Sequence, residues 1–109
     1  MANTFKLKTK ANVGITTQNV YVVPSATTTV VIGITLANTS GSGVNVGVGI
    51  TRAGTTEDVK LLKNAPIPQG SSLEFMGGNK VVLETTDTLT VDSDTNNSVD
   101  AALTIMEIT

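Results

Sequence analysis

Apolar and polar residues alternate in short runs along most of this chain, with the two-residue period of β-strands. Residues 4–10 alternate cleanly: Phe5 and Leu7 face one way, Lys6, Lys8 and Lys10 the other. Lysines pointing outward from a sheet edge discourage further pairing. Residues 12–23 carry Val13 and Ile15 in one run and Val20, Tyr21, Val22 and Val23 in the next, until Pro24 breaks the ladder. The strongest strand is 27–38, with Val30, Ile32, Ile34 and Leu36 on one face and Val31, Gly33, Thr35 and Ala37 on the other. It reads as a central strand covered on both sides. A polar turn at 38–43 leads to 44–52, with Val44, Val46, Val48 and Ile50 inward and Asn45, Gly47, Gly49 and Thr51 outward. Those glycines leave the outer face bare. That permits close approach by another chain, or marks a twist or bulge.

A hairpin loop at 53–56 leads to 57–63, with Val59 and Leu61 inward; a short helix is the other reading, and Pro66 would stop it. Segment 64–70 reads as irregular, with Pro66 and Pro68 holding Ile67 extended between them. Leu73 and Phe75 then alternate with Ser72 and Glu74, and 76–79 turns the chain again. Val81 with Leu83 and Leu89 with Val91 mark two short strands, and 99–108 forms the last. Eight or nine strands at this spacing, with no helix-period segment and no internal repeat, predict one all-β domain over residues 1–109. The expected architecture is an antiparallel β-sandwich, jelly-roll or Greek-key like. Its core is expected from Val30, Ile32, Ile34, Leu36, Val46, Val48, Leu89, Val91 and Leu103.

Composition narrows the chemistry. The 109 residues include no His, Cys or Trp, which removes the commonest general base, the thiol nucleophile and the soft metal ligands. Without His nothing activates the many hydroxyls, and no Ser-x-x-Lys spacing occurs. No enzyme and no cofactor are expected. Only Phe5, Tyr21 and Phe75 are aromatic, too few for a base-stacking platform or a sugar-binding floor. A net charge of −2 gives no field for phosphate backbones or anionic membranes, so neither nucleic acid nor membrane is an expected partner. No run approaches a spanning helix, and the opening lacks the apolar core of a secretion signal.

Four features are candidate sites. The segment 92–100 opens like a calcium loop, but Asn97 stands at the turn-glycine position and Leu103 where a bidentate Glu belongs. An Asp/Asn-rich turn bonding its own backbone accounts for it better, so no metal site is expected. Glu57, Asp58, Glu74, Glu84 and Asp87 supply carboxylates, with no pair singled out for acid–base work. Asn38 and Asn96 head glycosylation sequons, expected by chance alone. The last strand is apolar on both faces, with Val99, Ala101, Leu103 and Ile105 on one and Ala102, Met106 and Ile108 on the other. Such a strand is either central in its sheet or covered by a neighbouring subunit.

The run NVYVVPSATTTVVIGITLANTSGSGVNVGVGITRAG, with LLKNAPIPQGSSLEF, GGNKVVLETTDTLTV and SVDAALTIMEIT, resembles small virion structural proteins of tailed phages, including marine cyanophages. The resemblance covers almost the whole chain. It implies a β-sandwich that decorates a capsid, neck or tail, with other virion proteins as partners, homo-oligomerisation, and residence in the virion after synthesis in the host cytoplasm. Of these roles a capsid decoration (cement) protein is expected first. The alternative is a neck, tail or fibre-associated module that binds a receptor or glycan. Assembly contacts are expected at Phe5 and Leu7, on a strand of 1–10 that is held on its own sheet or exchanged with a neighbour. Ile67, Met106 and Ile108 are the other expected contacts.

Overall fold

A computed structural model describes residues 2–52, 57–75 and 80–109. The turns expected at 53–56 and 76–79 lie outside the described residues. Nine strands are seen among them: β1 (Asn3–Val13), β2 (Gln18–Val22), β3 (Thr28–Asn38), β4 (Val44–Arg52), β5 (Glu57–Ile67), β6 (Ser72–Phe75), β7 (Val81–Leu83), β8 (Thr88–Ser93) and β9 (Val99–Ile108). All pairings are antiparallel; β1 with β9, β2 with β8, β3 with β6 and β7, and β4 with β5 form a nested set, and β3 with β9 and β4 with β8 join these into sheets. Counting β6 and β7 as one interrupted strand, the chain is a long hairpin doubled on itself and rolled into a jelly roll. One sheet runs β1-β9-β3-β6/β7, the other β2-β8-β4-β5.

The core between the sheets is almost wholly aliphatic. Leu36, Leu83, Leu89, Leu103, Ile105 and Ile67 are its largest fully buried side chains. Of the expected core, Ile34, Leu36, Val46, Val48, Leu89, Val91 and Leu103 are buried. Val30 and Ile32 are not: they are half-buried on the outer face. The cause is a bulge, in which Val31 pairs Ile105 and Gly33 pairs Thr104, leaving Ile32 as an extra residue. One extra residue reverses the parity of everything before it. Thr29 and Val31 therefore enter the core beside Ile34 and Leu36.

Bulges account for two more departures. β5 does not stop before Pro66 but continues to Ile67, with Asn64 at φ 55° absorbing an irregularity. β5 is an edge strand, so proline's missing N–H costs no ladder bond. Val59, expected inward, pairs Ile50 but stays exposed at that edge. In β1 a bulge between Lys10 and Val13, with Asn12 at φ 57°, carries the strand through to a buried Val13.

The bare outer face of Gly47 and Gly49 is filled by the chain itself. A Cβ on Gly47 would lie 2.5 Å from Asp92 Oδ1 and 3.3 Å from the Leu62 carbonyl; one on Gly49 would lie 3.1 Å from the Val59 carbonyl. The glycines let the bulged β5 fold closely against β4, so the bulge reading holds at both positions.

Candidate interaction surface

β1 is oriented opposite to the expectation of outward lysines. Lys6, Lys8 and Lys10 lie across from Ile105, Leu103 and Ala101, residues of β9 whose side chains enter the core. Lys6 Nζ makes a 2.8 Å ion pair with Glu107, which is only 5% exposed. Glu107 Oε2 also accepts the hydroxyl of Tyr21 at 2.5 Å, and Thr29 Oγ1 lies 2.8 Å from the same hydroxyl. The ammonium of Lys8 stands 5.9 Å from the centre of the Tyr21 ring. At this open edge the long lysine stems lie along apolar surface while their heads reach acceptors or solvent. The Lys6 hydrogen bond first, then that of Tyr21, holds the Glu107 carboxyl below the usual carboxylate range. Burial, helped by Glu107, pushes the Tyr21 hydroxyl up to about 12.

This polar knot ties β1, β2, β3 and β9 together and sets the register that turns Phe5 and Leu7 to the outside. Phe5 is 68% and Leu7 64% exposed. Across the sheet the register aligns Phe5 with Met106, Met106 with Val30, and Val30 with Val82. An unbroken apolar row thus crosses four strands on the outer face. Ile108, between Asn3 and Thr28, lies one row to one side; Leu7, Thr104 and Gly33 form the next row on the other. Beyond them Thr9, Ala102 and Thr35 align, and a shallow groove of about 290 Å³ opens among Thr9, Ala11, Thr35, Ala37 and Ala102. Among the described residues of β1, β9 and β3, Asp100 is the single charged side chain directed to this face.

Four of the five candidate contacts, Phe5, Leu7, Met106 and Ile108, therefore share one face. Ile67 does not join them. It is 1% exposed, pairs with Val44 in the other sheet, and lends its carbonyl to Asn38 Nδ2 at 3.0 Å. Extended backbone between prolines is compatible with core and surface alike, and here the core takes it. Val30, Ile32 and Val82 belong to the face and were not singled out from sequence. Gly33, an isolated glycine within a strand pattern, was the signal for the bulge that places the first two there.

The remaining candidates disperse. In the 92–100 segment the carboxylates diverge: Asp94 Oδ1 accepts the Asn45 N–H at 3.1 Å and Asp100 Oδ1 the Asn12 N–H at 3.0 Å. Ser93, Thr95 and Ser98 bond one another within the turn. Among the described residues no three acidic side chains converge as a cation site. Glu84 and Asp87 do meet, but around Arg52, at 2.8 and 3.0 Å. Asn38 is buried, its amide nitrogen donating to the carbonyls of Ser42 and Ile67 and its oxygen accepting from Ser40, so it cannot present itself to a glycosylating enzyme.

The fold defines a class: a single jelly-roll sandwich with one face left open and apolar. No protein-family model matches the sequence, and no curated protein does. Solved structures share the fold. One is from Bacillus endospore appendages, described as a novel family of disulfide-linked pili; it is 15% identical with a TM-score of 0.57, over 99% of this chain and 87% of that one. Another is from infectious bursal disease virus, Gx strain, 13% identical with a TM-score of 0.57, over 96% of this chain and 32% of that one. This chain spans about a third of that viral chain. A pentameric capsid protein isolated from metagenomic phage sequences aligns with a TM-score of 0.45 at 16% identity, over 94% of this chain and 59% of that one. The fold is thus one found in virus-particle and appendage proteins.

Proposed function

We propose that this chain is a non-enzymatic structural protein of a phage virion, a decoration protein bound in many copies to the particle, and that it works by assembly through the outer face of the β1-β9-β3-β7 sheet. The observation that carries the reading is the apolar row Phe5, Met106, Val30 and Val82 on a face with a single charge in its three long strands. Charge depletion with exposed aromatic and Met side chains marks the centre of protein interfaces. The likeness in fold to a virus protein and a pilus protein supports it, since both belong to repeating assemblies. A small sandwich presented many times on a repeating lattice is held by avidity, so each contact can be modest.

Mass spectrometry of purified virions, with copy number per particle, tests the proposal. A stoichiometric number matching the shell lattice is the expected result. A few copies per particle would place the protein at neck or tail and end the decoration role. Absence from particles would end the virion reading and leave a free-standing binding module.

A further inference from the structure

We infer that the open face is covered by a second copy of this chain, packed face to face about a two-fold axis that runs across the strands at the level of Leu7. The inference names the partner of the face and rests on its being an assembly contact. The argument is shape. The large apolar side chains stand at one end of the face, and the shallow groove of about 290 Å³, lined by Ala and Thr together with Lys10 and Asp100, lies at the other end of the same strands. A two-fold axis lying between the two faces and crossing the strands brings each protruding end over the other copy's groove. Phe5 then sits over Thr9 and Met106 over Ala102, each two residues from the level of Leu7 and its partner Thr104. Such a contact is isologous and closes at two copies.

Size agrees. Four strands spaced about 4.8 Å, over nine residues rising about 3.4 Å each, give a flat footprint of roughly 600 Å². Two copies together remove about 1,200 Å², the lower bound for a specific interface. Charge on the face is sparse and peripheral: Glu74 of β6 stands at the end of the Thr35 row, Lys10 lines the groove, and Asp100 falls at its rim. Under the same axis it lies opposite the uncharged Ile108.

Sedimentation equilibrium of the full chain is the first test, with a reversible dimer of the 11.2 kDa chain expected. Leu7→Glu places two carboxylates against each other across the axis and should weaken association at least about 100-fold. Because Leu7 is exposed in the single chain, the urea midpoint of that variant should match the parent's at a concentration low enough to keep the parent monomeric. Geometry is tested by cross-linking, which is clean because the chain has no cysteine of its own. Asn3→Cys and Ala11→Cys lie about 27 Å apart along β1, at opposite ends of the face. A short bismaleimide should link a mixture of the two variants and neither variant alone. Linking of like with like, a trimer, or a monomer at every concentration overturns the inference. A monomer whose Leu7→Glu variant no longer joins particles gives the face to a shell protein, overturning the dimer and preserving the virion role. A cross-linked dimer absent from particles supports the inference and ends that role.

Discussion

Tyr21→Phe removes one oxygen and leaves the ring in the core, which isolates the polar knot beneath β1. The lost hydroxyl donates to the Glu107 carboxylate at 2.5 Å, and Thr29 at 2.8 Å is then its donor, because a phenol has one proton to give. A hydrogen bond to a charged group is worth about 1.5–3 kcal/mol net and a neutral one about 1. Glu107 keeps Lys6, so the variant should lose about 2–3 kcal/mol at pH 7. For a domain of this size that lowers Tm by roughly 8–15 °C. Glu107 has a depressed carboxyl pKa, so its stabilisation is present above about 4.3, the unfolded value, and is lost as pH falls through the folded one. Urea unfolding at pH 7 and again below the folded pKa should therefore show the cost of Tyr21→Phe shrinking toward about 1 kcal/mol in acid. The alkaline side has the opposite sign. With the hydroxyl raised to about 12, its contribution is full below about 10, the unfolded value, and is lost as pH climbs to about 12. The parent should weaken there by about 1.4 kcal/mol per pH unit from this group, a slope the Phe variant lacks. Tyr21 is the chain's sole tyrosine and there is no Trp, so phenolate absorbance reads it alone. A folded-state midpoint near 10, or a cost that ignores pH, refutes the bond to a buried carboxylate.

Ile34→Ala should cost about 2–5 kcal/mol in urea unfolding, and a loss under about 0.5 would place Ile34 outside the core. Gly47→Ala should destabilise by about 1–3 kcal/mol, because its Cβ meets Asp92 and the Leu62 carbonyl, while Gly41→Ala, with open space around it, should be near neutral. Asn38→Ala should cost about 2–3 kcal/mol, as the Ser42 and Ile67 carbonyls each lose a donor; an unchanged urea midpoint would show that water replaces the amide. Millimolar calcium should leave Tm unchanged, since Asp94 and Asp100 each bond a different strand's N–H; a rise reversed by chelator would refute this.

Strand number, the two-sheet sandwich and the inward faces of β4 and β9 were legible because a period of two needs nothing beyond the local pattern. Register across a bulge was not. Ile32 follows Val31 in an unbroken aliphatic run, and only the tertiary pairing decides which of them is the extra residue. The lysines of β1 were read outward by the usual rule, yet the buried acceptor that draws Lys6 inward, Glu107, lies at the far end of the sequence. Phe5, Leu7, Met106 and Ile108 could be read as apolar positions of one shared face, because each recurs with a period of two along its strand. Ile67 was misplaced because its environment is set by β4 and Asn38, not by its flanking prolines.

The bulge in β3 and the knot at Glu107 act on the same face. A one-residue shift of β1 against β9 would turn Phe5 and Leu7 inward and free the lysines, which is what an isolated domain would gain from. Instead the Lys6–Glu107 pair holds the register that exposes them. Likewise the extra residue at Ile32 lets β3 keep Ile34 and Leu36 inside while Val30 joins the row outside. Phe5, at 68% exposure, leaves most of its surface in water, and covering it returns about 1–2 kcal/mol. Two independent local devices thus leave one flat apolar row on the outer face of the single chain, which the proposed partner would cover.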